Sequence, residues 1–157
     1  MYAKCGYELM RDYTYPMFCE DIALLTHDLQ SSIPDMIIAV ARGGLMVSQF
    51  LAHALDVRRV ASIQAILYDH ETKGESVWLE TLPLLEGVSR VLVVDEMVDS
   101  GETMHALITQ LSQAYPSIVF QSAVLLQKPT AIYKADFYAH TVDEWINFFW
   151  EQPLKVF

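Results

Sequence analysis

Cysteine is nearly missing from this chain: Cys5 and Cys19 are its whole complement in 157 residues. Their spacing fits neither a zinc site nor a redox pair, and one possible bridge is not a disulfide framework. Free thiols in a reducing, cytoplasmic setting are therefore expected. Positive charge is scarce as well, with 10 Lys and Arg against 20 Asp and Glu and a net charge of −10. A sequence-independent nucleic-acid binder needs the opposite sign to neutralise phosphates, so no nucleic-acid partner is expected. Docking to an anionic membrane surface is disfavoured for the same reason. Long apolar runs are also lacking. Residues Met1 to Glu8 have no signal-peptide character. The apolar stretch from Met36 to Leu55 is interrupted by Arg42, Gln49 and His53 and broken at Gly43-Gly44, which suits strand, turn and helix rather than stable membrane insertion. The histidines His27, His53, His70, His105 and His140 show no metal-ligand spacing, so solvated or capping roles are expected. Repeats, low-complexity tracts and linkers are absent too.

What remains is an ordinary globular composition, 53% hydrophobic and 19% charged, sized for a single domain over 1–157. Proline suits a first helical turn, and Phe18, Ile22, Leu25 and Leu29 recur at helical spacing, which predicts a helix from about Pro16 to Gln30. Met36 to Val40 is a short continuous apolar run, the mark of a strand covered on both faces. A second helix follows Gly43-Gly44 with Met46, Val47, Phe50, Leu51, Ala54 and Leu55 on one stripe. Further strands are expected over Val60–Leu67, Val91–Val94 and Ile118–Leu126, with a helix after the third carrying Met104, Leu107, Ile108 and Leu111. The alternation predicts an α/β fold with a mostly parallel central sheet and helices on both faces. Ligands in such sheets sit beyond the carboxyl ends of the strands, which directs attention to the turns after Val40, Leu67, Val94 and Leu126. The long polar connection from Tyr68 to about Pro83 has the length of a functional loop or lid.

The most informative turn is Val93-Val94-Asp95-Glu96-Met97-Val98-Asp99-Ser100-Gly101-Glu102-Thr103. Adjacent carboxylates at a strand's end can accept hydrogen bonds from vicinal ribose hydroxyls, directly or through a divalent ion. Ser100 to Thr103 offers hydroxyls and unpaired N–H groups at a helix start. Glycine there permits close approach, and the helix dipole favours a phosphate. Asp99 stands between these ends, where a carboxylate could exchange a proton with a bound base. Each piece also has an ordinary explanation, since acids before a helix commonly cap it. The turn is not a Walker motif, because the glycine-lysine-serine/threonine ending is missing.

In its order, this stretch resembles the phosphoribosyl pyrophosphate motif of type I phosphoribosyltransferases. Two further segments agree. Ala41-Arg42-Gly43-Gly44-Leu45 resembles the pyrophosphate loop of the purine members, and Lys128-Pro129 with Trp145-Ile146 resembles the base pocket of the xanthine-guanine phosphoribosyltransferases. The similarity runs from about Met36 to Glu151. It implies transfer of ribose 5-phosphate from phosphoribosyl pyrophosphate to a 6-oxopurine (guanine, xanthine or hypoxanthine), with release of pyrophosphate in purine salvage. It implies Mg2+ as cofactor, a mobile loop or hood opened by Tyr68-Asp69-His70, and a homodimer or homotetramer. By position, Asp95 and Glu96 would hold the ribose and the metal, and Asp99 to Thr103 the 5′-phosphate. Asp99 would also handle the proton at purine N7. Arg42 and Gly43 would hold pyrophosphate; an arginine fork suits phosphate oxygens. Lys128 would donate to the purine 6-oxygen, Trp145 would stack on the ring, and the backbone around Ile146 would read the base edge.

The chain departs from the family pattern at three places. Glu96 stands where aspartate is usual, Glu102 puts a negative charge in the phosphate loop, and only six residues follow Glu151. The alternative reading is a non-catalytic regulator on the same scaffold, sensing phosphoribosyl pyrophosphate or nucleotide. A regulator of nucleic acid needs a basic surface, which the net charge opposes.

Overall fold

The computed structural model describes residues 10–68, 76–79 and 84–152. From the N-terminal side the elements are β1 (Met10–Tyr13), α1 (Tyr15–Leu29), β2 (Met36–Ala41), α2 (Gly44–Ala54), β3 (Val60–Tyr68) and β4 (Ser76–Leu79). They continue with β5 (Arg90–Val98), α3 (Glu102–Ala114), β6 (Val119–Gln127), β7 (Phe137–Thr141) and β8 (Trp145–Phe148), with short 3-10 turns at Gln30–Ser32 and Phe149–Glu151. Among the described residues, six strands form one sheet in the order β4-β3-β2-β5-β6-β7. All its neighbours are parallel except β4, which runs antiparallel to β3. β1 and β8 pair in parallel as a separate small sheet.

Side chains alternate across a strand, so a strand covered on both faces must be apolar at every position. β2 and β5 show it. Ile37, Leu92 and Val94 pack with Phe18, Leu25 and Leu29 of α1 and with Val47 and Leu51 of α2. Their neighbours Ile38, Val40, Val91 and Val93 pack on the other side with Met104, Leu107 and Leu111 of α3. Helices therefore cover both faces, as the alternation of elements predicts. No helix of the described residues is long and apolar enough to cross a membrane.

Three features differ from the expectation. The strand read as Val91–Val94 runs on to Val98, so Asp95 and Glu96 lie within β5 and not beyond its end. The reason is its neighbour: β6 keeps pairing with it through Asp95↔Val124, Met97↔Leu126 and Val98↔Gln127. β1, β7 and β8 have no counterpart among the expected elements, because they are too short or too polar for a local pattern to mark them. The polar stretch from Tyr68 to Pro83 contains β4, paired to β3 with Tyr68↔Ser76 and Ala65↔Leu79. The rest of the expected lid, 69–75 and 80–83, lies outside the described residues. Tyr13 is buried in β1, and Tyr15 opens α1.

Candidate functional site

The register of β2 against β5, Ala39↔Val94, brings the turn after β2 beside Asp95 and Glu96. The turn is tight: the Ala41–Arg42 peptide is cis, and the Leu45 N–H donates to the Arg42 carbonyl at 3.1 Å. Gly43 leaves the space that the Glu96 carboxylate fills, and a Cβ on it would coincide with that carboxylate. A Cβ on Gly44 would meet the Val94 carbonyl. Arg42 is exposed at the edge of this contact.

Asp95 and Glu96 form a tight acidic pair. The Glu96 N–H donates to Asp95 Oδ1 at 2.9 Å. Burial holds the Asp95 carboxyl well above the usual carboxylate range. The hydrogen bond and charge of the Glu96 side chain push the same way, and the N–H groups of Glu96 and Gly44 offset only part. Glu96 Oε2 is buried without a hydrogen-bond partner. A buried acceptor left unsatisfied is costly, and two carboxyls pressed together are more so. A divalent cation or a set of hydroxyl donors would relieve both, so the pair suits the Mg2+ and ribose implied by the resemblance. One or two carboxylates plus substrate phosphates is the donor set Mg2+ prefers. Among the described residues no group of three or more His, Cys, Asp or Glu side chains could hold a metal, so the remaining ligands would come from substrate and water.

Beyond Val98 the chain turns into α3. Gly101 takes φ 89°, a left-handed conformation that glycine adopts without strain. A Cβ there would also lie 2.6 Å from the backbone nitrogen of Tyr133. The Glu102 N–H donates to Ser100 Oγ at 3.3 Å. Asp95, Asp99, Ser100, Gly101 and Thr103 help line a cavity of about 130 Å³ at this helix start. Such a site offers free N–H groups and the positive end of the helix dipole. Glu102 is exposed and is not part of the lining.

Asp99 is not the helix cap. Its carboxylate forms an ion pair with Lys128, Nζ to Oδ1 at 2.8 Å. The register Val98↔Gln127 makes the two adjacent across the sheet, and the Lys128 N–H donates to the Val98 carbonyl at 2.9 Å. The same ammonium lies 5.7 Å from the centroid of the Trp145 ring. Trp145 is 56% exposed, so this tryptophan lies at the surface and not in the core. The Ile146 side chain, next along β8, is buried in the core, so any contact it made with a base would come through its backbone.

Three groups near the site carry no recognisable signal in the sequence. Lys134 Nζ donates to the carbonyls of Lys128 and Pro129 at 2.9 and 2.7 Å, clamping the turn that presents Lys128. Tyr133 backs Gly101 through its main chain and shares a hydrogen bond with Ser122 at 2.9 Å. Glu151 feels the charges of both Glu96 and Arg42; partial burial and then Glu96 raise its pKa. Lone charged residues near a chain end or in a loop have no local pattern to mark them.

Known proteins resemble this chain in both sequence and fold. The phosphoribosyl transferase domain family matches residues 17–156. A xanthine-guanine phosphoribosyltransferase of Idiomarina loihiensis is 31% identical over 121 residues, covering 75% of this chain and 71% of its own. Among solved structures, a xanthine-guanine-hypoxanthine phosphoribosyltransferase of Helicobacter pylori superposes with a TM-score of 0.84 at 36% identity, covering 90% of this chain and 94% of that one. A purine phosphoribosyltransferase of Pyrococcus horikoshii does so with a TM-score of 0.79 at 28% identity, covering 94% and 97%. The chain belongs to the phosphoribosyl transferase domain family, as a type I member close to the xanthine-guanine phosphoribosyltransferases.

Proposed function

We propose that the chain is a purine phosphoribosyltransferase of purine salvage that transfers ribose 5-phosphate from phosphoribosyl pyrophosphate to a 6-oxopurine. The observation that carries this reading is the alignment of Asp99, Lys128 and Trp145, held by the 2.8 Å ion pair and the 5.7 Å cation–π contact. A proton acceptor, a donor-only ammonium and an exposed aromatic face together suit a flat base with a carbonyl oxygen. A regulator that only sensed nucleotide would have no use for a proton acceptor beside the base.

In this reading purine N9 forms a bond to the anomeric carbon as the bond to pyrophosphate breaks. Asp99 accepts the proton from N7. Lys128 leaves Asp99 to donate to the 6-oxygen, which frees the carboxylate for that proton. Trp145 stacks on the ring, Asp95 and Glu96 hold the ribose hydroxyls, and Asp99 to Thr103 cradle the 5′-phosphate. Arg42 and the Gly43 backbone hold the pyrophosphate. Asp95 and Glu96 would hold Mg2+, which would supply positive charge against the charge that grows on the leaving group. Cytoplasmic residence and a homodimer or homotetramer complete the reading.

The deciding experiment measures pyrophosphate release with Mg2+, phosphoribosyl pyrophosphate and, in turn, guanine, xanthine, hypoxanthine and adenine. The 6-oxopurines should turn over and adenine should not, because Lys128 has only donors to offer an exocyclic amine. Comparable turnover of adenine and guanine, or none with any base, would sink the reading.

A further inference from the structure

A cavity of about 390 Å³ lies beneath the small β1–β8 sheet, bordered by Arg11, Tyr13, Met17, Asp21, His140 and Ile146. It is on the far side of β8 from the base platform, since Ile146 borders it while Trp145 is exposed near Lys128. A two-stranded sheet is marginal unless something else secures it. Ile146 and Phe148 of β8 pack into the core, and a polar tie beside the cavity adds to that packing. Asp21 of α1 is 4% exposed, yet it carries a carboxylate. The Tyr13 hydroxyl of β1 donates to its Oδ2 at 2.5 Å, and His140 Nε2 of β7 lies 2.8 Å from its Oδ1. The Tyr13 ring packs edge-on against Phe148 of β8 and against Trp150, with centroids 5.3 and 6.1 Å away. Tyr13 is also the register partner of Phe148, as Met10 is of Trp145. One side chain thus joins the platform sheet to a carboxylate rooted in the core.

Burying a carboxylate is expensive unless it is fully hydrogen-bonded, and an apolar residue would fill the same place at lower cost. We propose that Asp21, gripped by Tyr13 and His140, is a positioning residue for base recognition: it fixes β1, and through the β1–β8 pairing sets where the Trp145 ring stands over Lys128. This rests on the purine reading of the Trp145 platform.

The test uses Tyr13→Phe, which removes one hydroxyl and keeps the ring packing, alongside Asp21→Asn. In steady-state kinetics Tyr13→Phe should raise the KM for guanine about fivefold, the equivalent of one buried hydrogen bond. The kcat and the KM for phosphoribosyl pyrophosphate should stay within about twofold. In a Trp145→Ala background, where no platform is left to position, Tyr13→Phe should add less than about twofold. Amide hydrogen exchange over 145–148 in the ligand-free protein should be about fivefold faster in Tyr13→Phe than in wild type. An unchanged guanine KM, an equal rise for both substrates, or full additivity with Trp145→Ala overturns the proposal. If the wild type turns over no purine, the purine reading fails by itself. The exchange measurement then decides the tie, and unchanged exchange over 145–148 overturns it.

Discussion

The carboxylate of Glu96 occupies the space that a side chain on Gly43 would need. Two segments with separate expected tasks, the pyrophosphate turn and the ribose carboxylates, are therefore in direct contact across β2 and β5. The neighbouring glycines should respond differently to alanine. At Gly43 the obstacle is the end of a flexible side chain, which can swing away. Gly43→Ala should keep stability within about 1 kcal/mol of wild type while displacing Glu96 and raising the KM for phosphoribosyl pyrophosphate about tenfold or more. At Gly44 the obstacle is the Val94 backbone carbonyl, which cannot move without β5. Gly44→Ala should cost about 1–3 kcal/mol or more. Chemical denaturation and steady-state kinetics on both variants check this; equal stability losses would contradict it.

Asp99 is paired with Lys128 and not with the helix start, so Asp99→Asn should leave the fold nearly untouched. A partly exposed ion pair contributes at most about 1 kcal/mol. Asparagine cannot take the N7 proton, and kcat should fall about 10²-fold. Single-turnover kinetics together with a thermal melt separate the two effects. A kcat near wild type would remove Asp99 from proton transfer.

In the proposed reading Arg42 and Glu96 hold different parts of phosphoribosyl pyrophosphate, with different consequences. Arg42→Ala removes charge compensation for a leaving group that grows more negative in the transition state, so kcat should drop about 10²-fold along with binding. Glu96→Gln keeps the side chain's shape and a donor or acceptor for the ribose while removing one charge, and should mainly raise the KM for phosphoribosyl pyrophosphate with a smaller effect on kcat. Kinetics at saturating purine distinguish them. Were Arg42→Ala to leave both constants unchanged, the turn after β2 would be structural only.

At the opposite end of the same strands, the Asp35 carboxylate accepts hydrogen bonds from the Ser89 and Arg90 N–H groups, each at 2.9 Å. These bonds hold its carboxyl below the usual carboxylate range. A folded-state pKa below the unfolded one means stability that is present above the unfolded value, about 3.9, and lost as pH falls through the folded value. Asp35→Ala should cost about 1 kcal/mol at pH 7, discounted for its exposure. The difference from wild type should shrink as pH falls below about 4. Urea midpoints at the two pH values measure it, and a difference that persisted in acid would show that the bonds are not responsible.

Much of this was legible in the chain. Helical spacing in Phe18, Ile22, Leu25 and Leu29, and the continuous apolar runs at Met36–Val40 and Val91–Val94, report local patterns, because burial on one helical stripe or on both strand faces must be written into neighbouring residues. The residues following these runs resemble the family's phosphate and ribose motifs for the same reason: a close backbone approach or a helix start needs its glycine and hydroxyls in consecutive positions. Tertiary structure alone decided the rest. That β5 runs through Asp95 and Glu96 to Val98 follows from pairing with β6, a partner distant in sequence. That Lys128 meets Asp99 follows from the β5–β6 register, and that Trp145 stands exposed follows from β8 pairing with β1 at the other end of the chain. The Tyr13–Asp21–His140 tie joins a strand, a helix and a sheet edge whose residues share no local pattern. Contacts of that kind arise only when the folded chain brings separate segments together, so no window of sequence contains them.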